Sequence, residues 1–588
     1  MEKIKFIESF HIFFKIIHLI SAKRLIYFII QLCSLTIQKF IPVISLLVMQ
    51  KILNIIQLET FELYTALKLV LIYISLDIIQ ILIQSFSNFY TTVFTMKFNL
   101  WIKDKVLHKI SALSIKEYED SEIYDTIQRA QYAENGTLIS YCNAFLQVIA
   151  ITLSSTSYLV ILFSLEIWIL PIILAFPIIK YLITLKINKE RFEIVYNRTG
   201  NERKRWYLNF LLTTGNMLKE IKLNALSNYF ISQYNSFTKD FNKEDLSVNN
   251  KALLQNTAFS IFEQLVDGGI FAYIIIEGIC GNILIGSVVT YTRSIIQTKT
   301  CIQNILLQCA EIERYKLNIL QILKLLDLEE EKLGVGIKIN SIDSIEVKNL
   351  YYKYTNSNVY ALKNISFSLQ RGESLLIIGE NGSGKTTLSK ILLGLYLDYE
   401  GEILINGIEL RRLDISSYRK ICSALFQDFS KYEATLRENI AYGNLEYLQD
   451  CIGLSQLYDK FNLSKLNLSS NKKEALNQQL GNWFEHGRQL SIGQWQRLAL
   501  SRAFAKKGDL YILDEPGASL DSISDSELTH IYHSMLQDKM GIIISHRLQT
   551  IHKYVSNIII LQEGSIIEYG THESLMGSSM YTKLFGTL

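Results

Sequence analysis

The stretch "SLLIIGENGSGKTTLSKILLGL", Ser374–Leu395, decides the fold of the second half of this chain. Ser374–Ile378 is apolar and reads as a buried strand, while Leu388–Leu395 carries apolar residues at helical spacing. Between them Gly379–Thr386 fits GxxxxGK[ST]. The glycines let backbone N–H groups wrap a triphosphate, Lys385 neutralises its outer phosphates, the Thr386 hydroxyl joins a Mg²⁺ shell, and the helix N-terminus adds its dipole. The expected phosphate-binding residues are Gly379, Glu380, Asn381, Gly382, Ser383, Gly384, Lys385, Thr386 and Thr387. So short a pattern can arise by chance; its place between strand and helix sets this one apart.

Outward from the loop, "LYILDEP", Leu510–Pro516, is an apolar strand ending in two acids. Asp514 is expected to hold Mg²⁺ through water, and Glu515 to polarise the attacking water or accept its proton. Gln427, in "LFQDFSKYEATLRENI", follows a strand and is expected to sense the metal and the γ-phosphate. His546, in "IIISHR", ends another strand. Taken alone it reads as a satisfied core histidine sooner than as a site residue. The expected catalytic set is Glu515, His546 and Gln427, and the expected metal set is Thr386, Gln427 and Asp514.

A chain of 588 residues is too long for one hydrophobic core. The first 310 residues hold apolar runs of membrane-spanning length, at roughly 25–52, 65–95, 138–165, 167–187, 255–279 and 286–309. No Lys or Arg occurs between Lys51 and Lys68, between Arg129 and Lys180, or between Lys251 and Arg293, whereas 97–130 and 186–251 are crowded with them. The positive-inside rule puts those long segments and both termini in the cytoplasm. They are rich in helix formers, so the helices are expected to extend well beyond the membrane. Two stretches, 117–130 and 215–230, mix charges with Tyr and Leu and suit either docking helices or solvated turns.

Asp77, Gln80, Gln84, Gln147, Glu263, Asp267, Arg293 and Lys299 fall within the spans, where lipid exposure is costly. Two readings of the acids stand at this stage: an acidic wall meeting a polar or cationic cargo, or interhelical pairing of Glu263 and Asp267 with Arg293 or Lys299. The N-terminal "MEKIKFIESFHIFFKIIHLISAKR" lacks a cleavage site for a signal peptide, and its apolar residues suit a helix along the inner membrane surface. A net charge of +3 gives no bulk attraction to nucleic acid. The cysteines at 33, 142, 280, 301, 309, 422 and 451 form no CxxC or Cys/His cluster, so no metal or redox role is expected.

The motif order resembles the nucleotide-binding domain of an ATP-binding cassette (ABC) transporter: phosphate loop, Gln427 loop, "LSIGQ" signature at 490–494, strand acids, "ASLD" at 518–521, and His546. Six spans ahead of one such domain resemble the exporter arrangement. The resemblance implies an α-helical six-span transmembrane domain followed by an α/β P-loop ABC ATPase domain, bounded at 1–325, a linker at 326–343, and 344–588. It implies Tyr354 on the adenine, and Ser491, Gly493 and Gln494 on the nucleotide of the opposite subunit. Ile492 stands where a second signature glycine is usual; its own N–H remains, and a β-branched residue implies an ordinary backbone with the side chain turned away from phosphate. The stretches at 117–130 and 215–230 become coupling helices. Because each ATP is sandwiched between the loop of one subunit and the signature of the other, the implied working form is a homodimer.

"FQDFSKYEATLRENIAYG" (426–443) and "QLGNWFEHGRQLSIGQWQRLALSRAF" (479–504), with Trp483 and Trp495, are similar to segments of lantibiotic and related bacteriocin-peptide exporters of Gram-positive bacteria. Glu485 falls where exporters place an acid that relays signals to the coupling helices. The resemblance implies an ATP hydrolase in the cytoplasmic membrane, with ATP and Mg²⁺ as cofactors and contacts to lipid and a modified antimicrobial peptide cargo. About twenty residues precede the first span, so any leader peptide is expected to be cut by another protein. The rivals are a lipid or multidrug exporter, or one subunit of a heterodimer. A soluble cassette ATPase of DNA repair or translation is excluded by the spans, and no nucleic-acid partner is expected.

Overall fold

The apolar runs of the first half become helices far longer than a bilayer requires. In the computed structural model the described residues are 11–16, 22–58, 63–120, 122–123, 126–127, 130, 136–164, 167–354, 357–518, 520–546, 551–578 and 581–582. Six long helices dominate the first half: α1 (Ala22–Gln57), α2 (Leu63–Ser111), α4 (Thr137–Phe163), α5 (Ile169–Thr213), α7 (Ser227–Ile279) and α8 (Ile285–Asp327). Short helices, among them α3 (Ile115–Glu119) and α6 (Gly215–Leu223), lie between them. At 1.5 Å per residue, the 53 residues of α7 reach far past a hydrocarbon core of roughly 30 Å.

Among the described residues, five helices are long and apolar enough to cross a membrane. Three contain the spans expected near 25–52, 65–95 and 255–279, and the other two, Thr137–Phe163 and Ile169–Arg191, contain most of 138–165 and 167–187. The span expected at 286–309 lies on α8, which is a helix but too polar to meet that measure. The start of α8 is tied instead to the end of α1: Asn54 Oδ1 accepts from Gly286 N at 3.0 Å and Gln57 Oε1 from Ile285 N at 2.7 Å. These amides satisfy the free N–H groups of a helix N-terminus. A Cβ on Gly286 would lie 2.3 Å from the Gln50 carbonyl, so only glycine permits this approach. The interfacial helix expected at the N-terminus falls mostly on residues outside those described; residues 11–16 are helical, with Ile12, Phe13 and Ile16 buried.

Contact density divides the chain into two units, Met1–Ser111 with Asp125–Leu328, and Ala112–Tyr124 with Glu329–Leu588. The second unit contains two sheets. One is antiparallel, in the order β2 (Tyr360–Gln370), β1 (Ser344–Lys353), β4 (Glu400–Ile405), β5 (Ile408–Glu409). The other runs β10 (Ser565–Gly570), β9 (Asn557–Gln562), β3 (Ser374–Gly379), β8 (Met540–Ile544), β7 (Leu510–Asp514), β6 (Cys422–Leu425), parallel except for the β9–β10 pair. Alternate residues of its central strands enter different cores. Leu376, Ile378, Leu513 and Ile543 face one, and Leu375, Ile377, Ile512 and Ile542 the other. A parallel sheet covered on both faces explains why these strands read as continuous apolar runs. Helices of this unit include α9 (Lys385–Leu392), α10 (Cys451–Lys460), α11 (Ile492–Ala505) and α12 (Ser522–Leu536), of which α9 and α11 carry residues expected at the site.

Within 117–130, α3 ends at Glu119, its start capped by Ser114 in a reciprocal box with Glu117, and residues 122, 123, 126, 127 and 130 are helical as well. Residues 121, 124–125 and 128–129 lie outside those described. Within 215–230, α6 stops at Leu223 and α7 begins at Ser227. The stretch is therefore one short helix and the start of a long one.

Candidate functional site

Every polar group singled out on the strands sits at the carboxyl edge of the parallel sheet, where α/β folds place their ligands. The loop after β3 turns through Gly382 (φ 82°) and Gly384 (φ 103°), a left-handed backbone that glycine adopts without strain. A Cβ at Gly384 would lie 2.7 Å from the Ala361 carbonyl, and one at Gly379 2.7 Å from Ser383 Oγ. Lys385 Nζ donates to the carbonyls of Gly379 and Glu380, each at 2.8 Å, which closes the loop on itself. Burial lowers the Lys385 pKa, against the pull of Glu515 and Asp514. Ser383 Oγ is buried and has no hydrogen-bond partner among the described residues. An orphaned hydroxyl, an ammonium and a glycine-lined turn together fit a phosphate chain.

Thr386 Oγ1 donates to Asp514 Oδ2 at 3.1 Å. Burial raises the Asp514 pKa, partly offset by that hydroxyl. A threonine hydroxyl and a buried carboxylate held together suit a hard divalent cation, which takes oxygen ligands. Glu515 has a left-handed backbone, φ 49°, and its N–H donates to the Ile544 carbonyl at 2.8 Å. A non-glycine residue held there is strained, and such strain collects at functional positions. Gln427 Nε2 donates to Glu515 Oε2 at 3.3 Å, His546 Nε2 lies 3.2 Å from Oε1, and Gln496 Nε2 donates to the Glu515 carbonyl at 2.6 Å. His546 is thus not the satisfied core histidine that its strand context also allows.

A cavity of about 530 Å³ is lined by Tyr354, Asn381, Gly382, Gly384, Lys385, Thr386, Thr387, Gln427, Asp514 and Glu515. Tyr354 hydroxyl and Thr387 Oγ1 are 2.9 Å apart. Ser491, Gly493 and Gln494 are not among the lining residues. They form the start of α11, where Ser491 and Gln494 cap each other reciprocally. Ile492 is the first residue of that helix, outside the left-handed region and 59% exposed. Trp495 is buried in the core, while Trp483 is fully on the surface beside the exposed Glu485. Ser519 of "ASLD" lies outside the described residues.

Two contacts are not legible in the motifs. Gln496, two residues past the signature, fixes the backbone of Glu515. Glu119 on α3 accepts from Tyr396 hydroxyl at 2.7 and 2.6 Å and pairs with Lys390 of α9 at 3.0 Å. Lys116 adds a contact to Asp398 at 2.6 Å. Tyr396 in turn meets Tyr354 edge-on, ring centroids 6.0 Å apart. Both contacts join residues distant in sequence, and no local pattern announces them.

These features define a membrane ATPase of the ABC exporter type. The ABC transporter family pattern matches residues 362–518. The subtilin transport ATP-binding protein SpaT of Bacillus subtilis is 36% identical over 553 residues, covering 92% of this chain and 89% of that protein. The nisin transport ATP-binding protein NisT of Lactococcus lactis subsp. lactis is 31% identical over 593 residues, 99% and 98% of the two chains. An ATP-dependent lipid A-core flippase of Pseudomonas fluorescens (strain Pf0-1) is 32% identical over 44% of this chain and 42% of its own. A bacterial Atm1-family ABC exporter solved with ATP bound shares the fold, with a TM-score of 0.76 at 18% identity over 96% of this chain and 98% of its own. The chain belongs to the ABC transporter family, and it couples ATP hydrolysis to transport across a membrane.

Proposed function

We propose that this chain exports a ribosomally synthesised, modified antimicrobial peptide of the lantibiotic type across the cytoplasmic membrane of a Gram-positive bacterium, as a homodimer using ATP and Mg²⁺. Coverage is the observation that carries the cargo. Similarity to the subtilin and nisin transport proteins extends through membrane helices and ATPase alike, over 92% and 99% of the chain at 36% and 31% identity, whereas lipid A-core flippases align over 43–71% of it, the 71% at only 24% identity. In this reading 1–325 is the transmembrane domain, 326–343 a linker and 344–588 the nucleotide-binding domain.

Bound ATP with Mg²⁺ supplies the phosphoanhydride whose hydrolysis drives the cycle. Gly379–Thr387 hold the phosphates, Thr386, Asp514 and Gln427 the ion, and Tyr354 the adenine. Glu515 accepts a proton from the attacking water while Gln427 and His546 orient its carboxylate. Ser491, Gly493 and Gln494 lie outside the cavity of their own chain, which supports a second copy that brings its signature to the open side. Closure on two nucleotides then favours one membrane access over the other. In cells making the cargo, Lys385→Ala is expected to leave modified, leader-bearing peptide inside. Peptide release at the wild-type level would overturn the assignment.

A further inference from the structure

The helices of the first unit carry two kinds of polar group, and they are satisfied differently. Lys299 of α8 pairs with Glu263 of α7 at 3.4 Å and with Asp267, and lies 5.1 Å over the ring of Phe176 on α5. Those acids therefore hold helices together, with Lys299 rather than Arg293 as partner. Between α1 and α2, Gln31 Nε2 donates to Ser87 Oγ at 3.2 Å and Ser34 to the same oxygen at 3.3 Å. This network is likewise closed.

Two turns further along α1 the pattern changes. A cavity of about 250 Å³ opens at mid-span of α1, α2, α4 and α8, lined by Gln38, Gln80, Gln84, Gln297, Asn304 and Lys39 among others. Among the described residues the side chains of Gln80, Gln84, Gln297 and Asn304 make no hydrogen bond, and Gln38 reaches only the Ile83 carbonyl at 3.3 Å. Pro42, also on the wall, supplies no N–H to the Gln38 carbonyl. Unpaired amides at membrane depth are costly unless they face water or a ligand that pairs with them.

We infer that this wall is a binding site for the main chain of a polypeptide. The inference rests on the peptide-export reading and names the chemistry by which cargo is held. A primary amide offers one acceptor and two donors, matching the C=O and N–H of a peptide group whatever its side chain. An acyl chain in the same place leaves the amides of Gln80, Gln84, Gln297 and Asn304 unpaired. The wall thus favours peptide over lipid without reading sequence. Its volume is below the roughly 300–1,000 Å³ of pockets that enclose a whole small ligand, so it holds a segment of a longer chain. Lys39, a cation on the wall, suits a carboxylate of that segment.

The test uses the full-length protein in nanodiscs and a fluorescent pool of random-sequence synthetic peptides, because main-chain recognition tolerates sequence. Methylating the peptide nitrogens of the pool is expected to weaken binding about tenfold. Gln84→Met with Gln297→Met, which keeps side-chain length and removes both polar ends, is expected to weaken the unmethylated pool by a similar factor and to abolish the preference. Equal binding of both pools by the wild type, a double variant that keeps the preference, or no binding of either pool overturns the site. If Lys385→Ala cells still retain their peptide, export stands without it. Unchanged release from those cells overturns both.

Discussion

At Glu515, strain and hydrogen bonding agree on one side chain. Its left-handed φ of 49° is held by the Ile544 carbonyl and by Gln496, and its carboxylate is held by Gln427 and His546. Glu515→Gln keeps the shape and loses the base. Steady-state hydrolysis is expected to fall by about 10²–10⁴-fold while nucleotide affinity stays within a few-fold, measured by phosphate release and equilibrium binding. Ile492 makes the opposite case. Because it starts α11 with helical backbone and an exposed side chain, no left-handed turn is lost to isoleucine. Ile492→Gly is expected to change ATPase activity only a few-fold and to cost at most about 1 kcal/mol of helix stability. A dead wild type rescued by Ile492→Gly would identify the signature as degenerate. The phosphate loop and strand acids are legible in sequence because phosphate chemistry needs them contiguous or at strand ends. Gln496 and Glu119 act on residues 19 and 277 positions away, and only the fold brings them there.

Among elements, hydropathy finds the membrane segments but not the helices that carry them. The run expected at 255–279 is the last part of α7, which starts at Ser227, because charged surface residues with good helix propensity continue the helix once apolar packing has fixed it. α8 shows the converse. Its polar face, including Gln297, Thr300 and Asn304, lowers its hydropathy since it borders a cavity rather than lipid. α3 is held by two contacts: Lys116 pairs with Asp398, and Glu119 grips Tyr396 and Lys390, where burial together with that carboxylate raises the Tyr396 pKa. Tyr396 touches Tyr354, and Lys390 lies on the helix of the phosphate loop. Glu119→Ala is expected to leave basal ATP hydrolysis within about twofold while cutting cargo-stimulated hydrolysis several-fold, read in proteoliposomes with and without precursor peptide. Equal stimulation in both proteins would make α3 a passive support.

For the whole molecule, one chain holds one phosphate loop and one signature, and the two do not share a cavity. If two copies complete the sites, co-expression with an excess of Lys385→Ala chain is expected to suppress hydrolysis per wild-type chain. A monomeric ATPase would show no such suppression. The central claim is ATP-driven movement of a modified peptide by this chain alone. Its most direct measurement is accumulation of leader-bearing, modified precursor in inside-out membrane vesicles containing only this protein. The expected result is uptake that requires ATP and is absent from Glu515→Gln vesicles. Vesicles that hydrolyse ATP but accumulate no peptide, while moving a labelled lipid between leaflets, would contradict it.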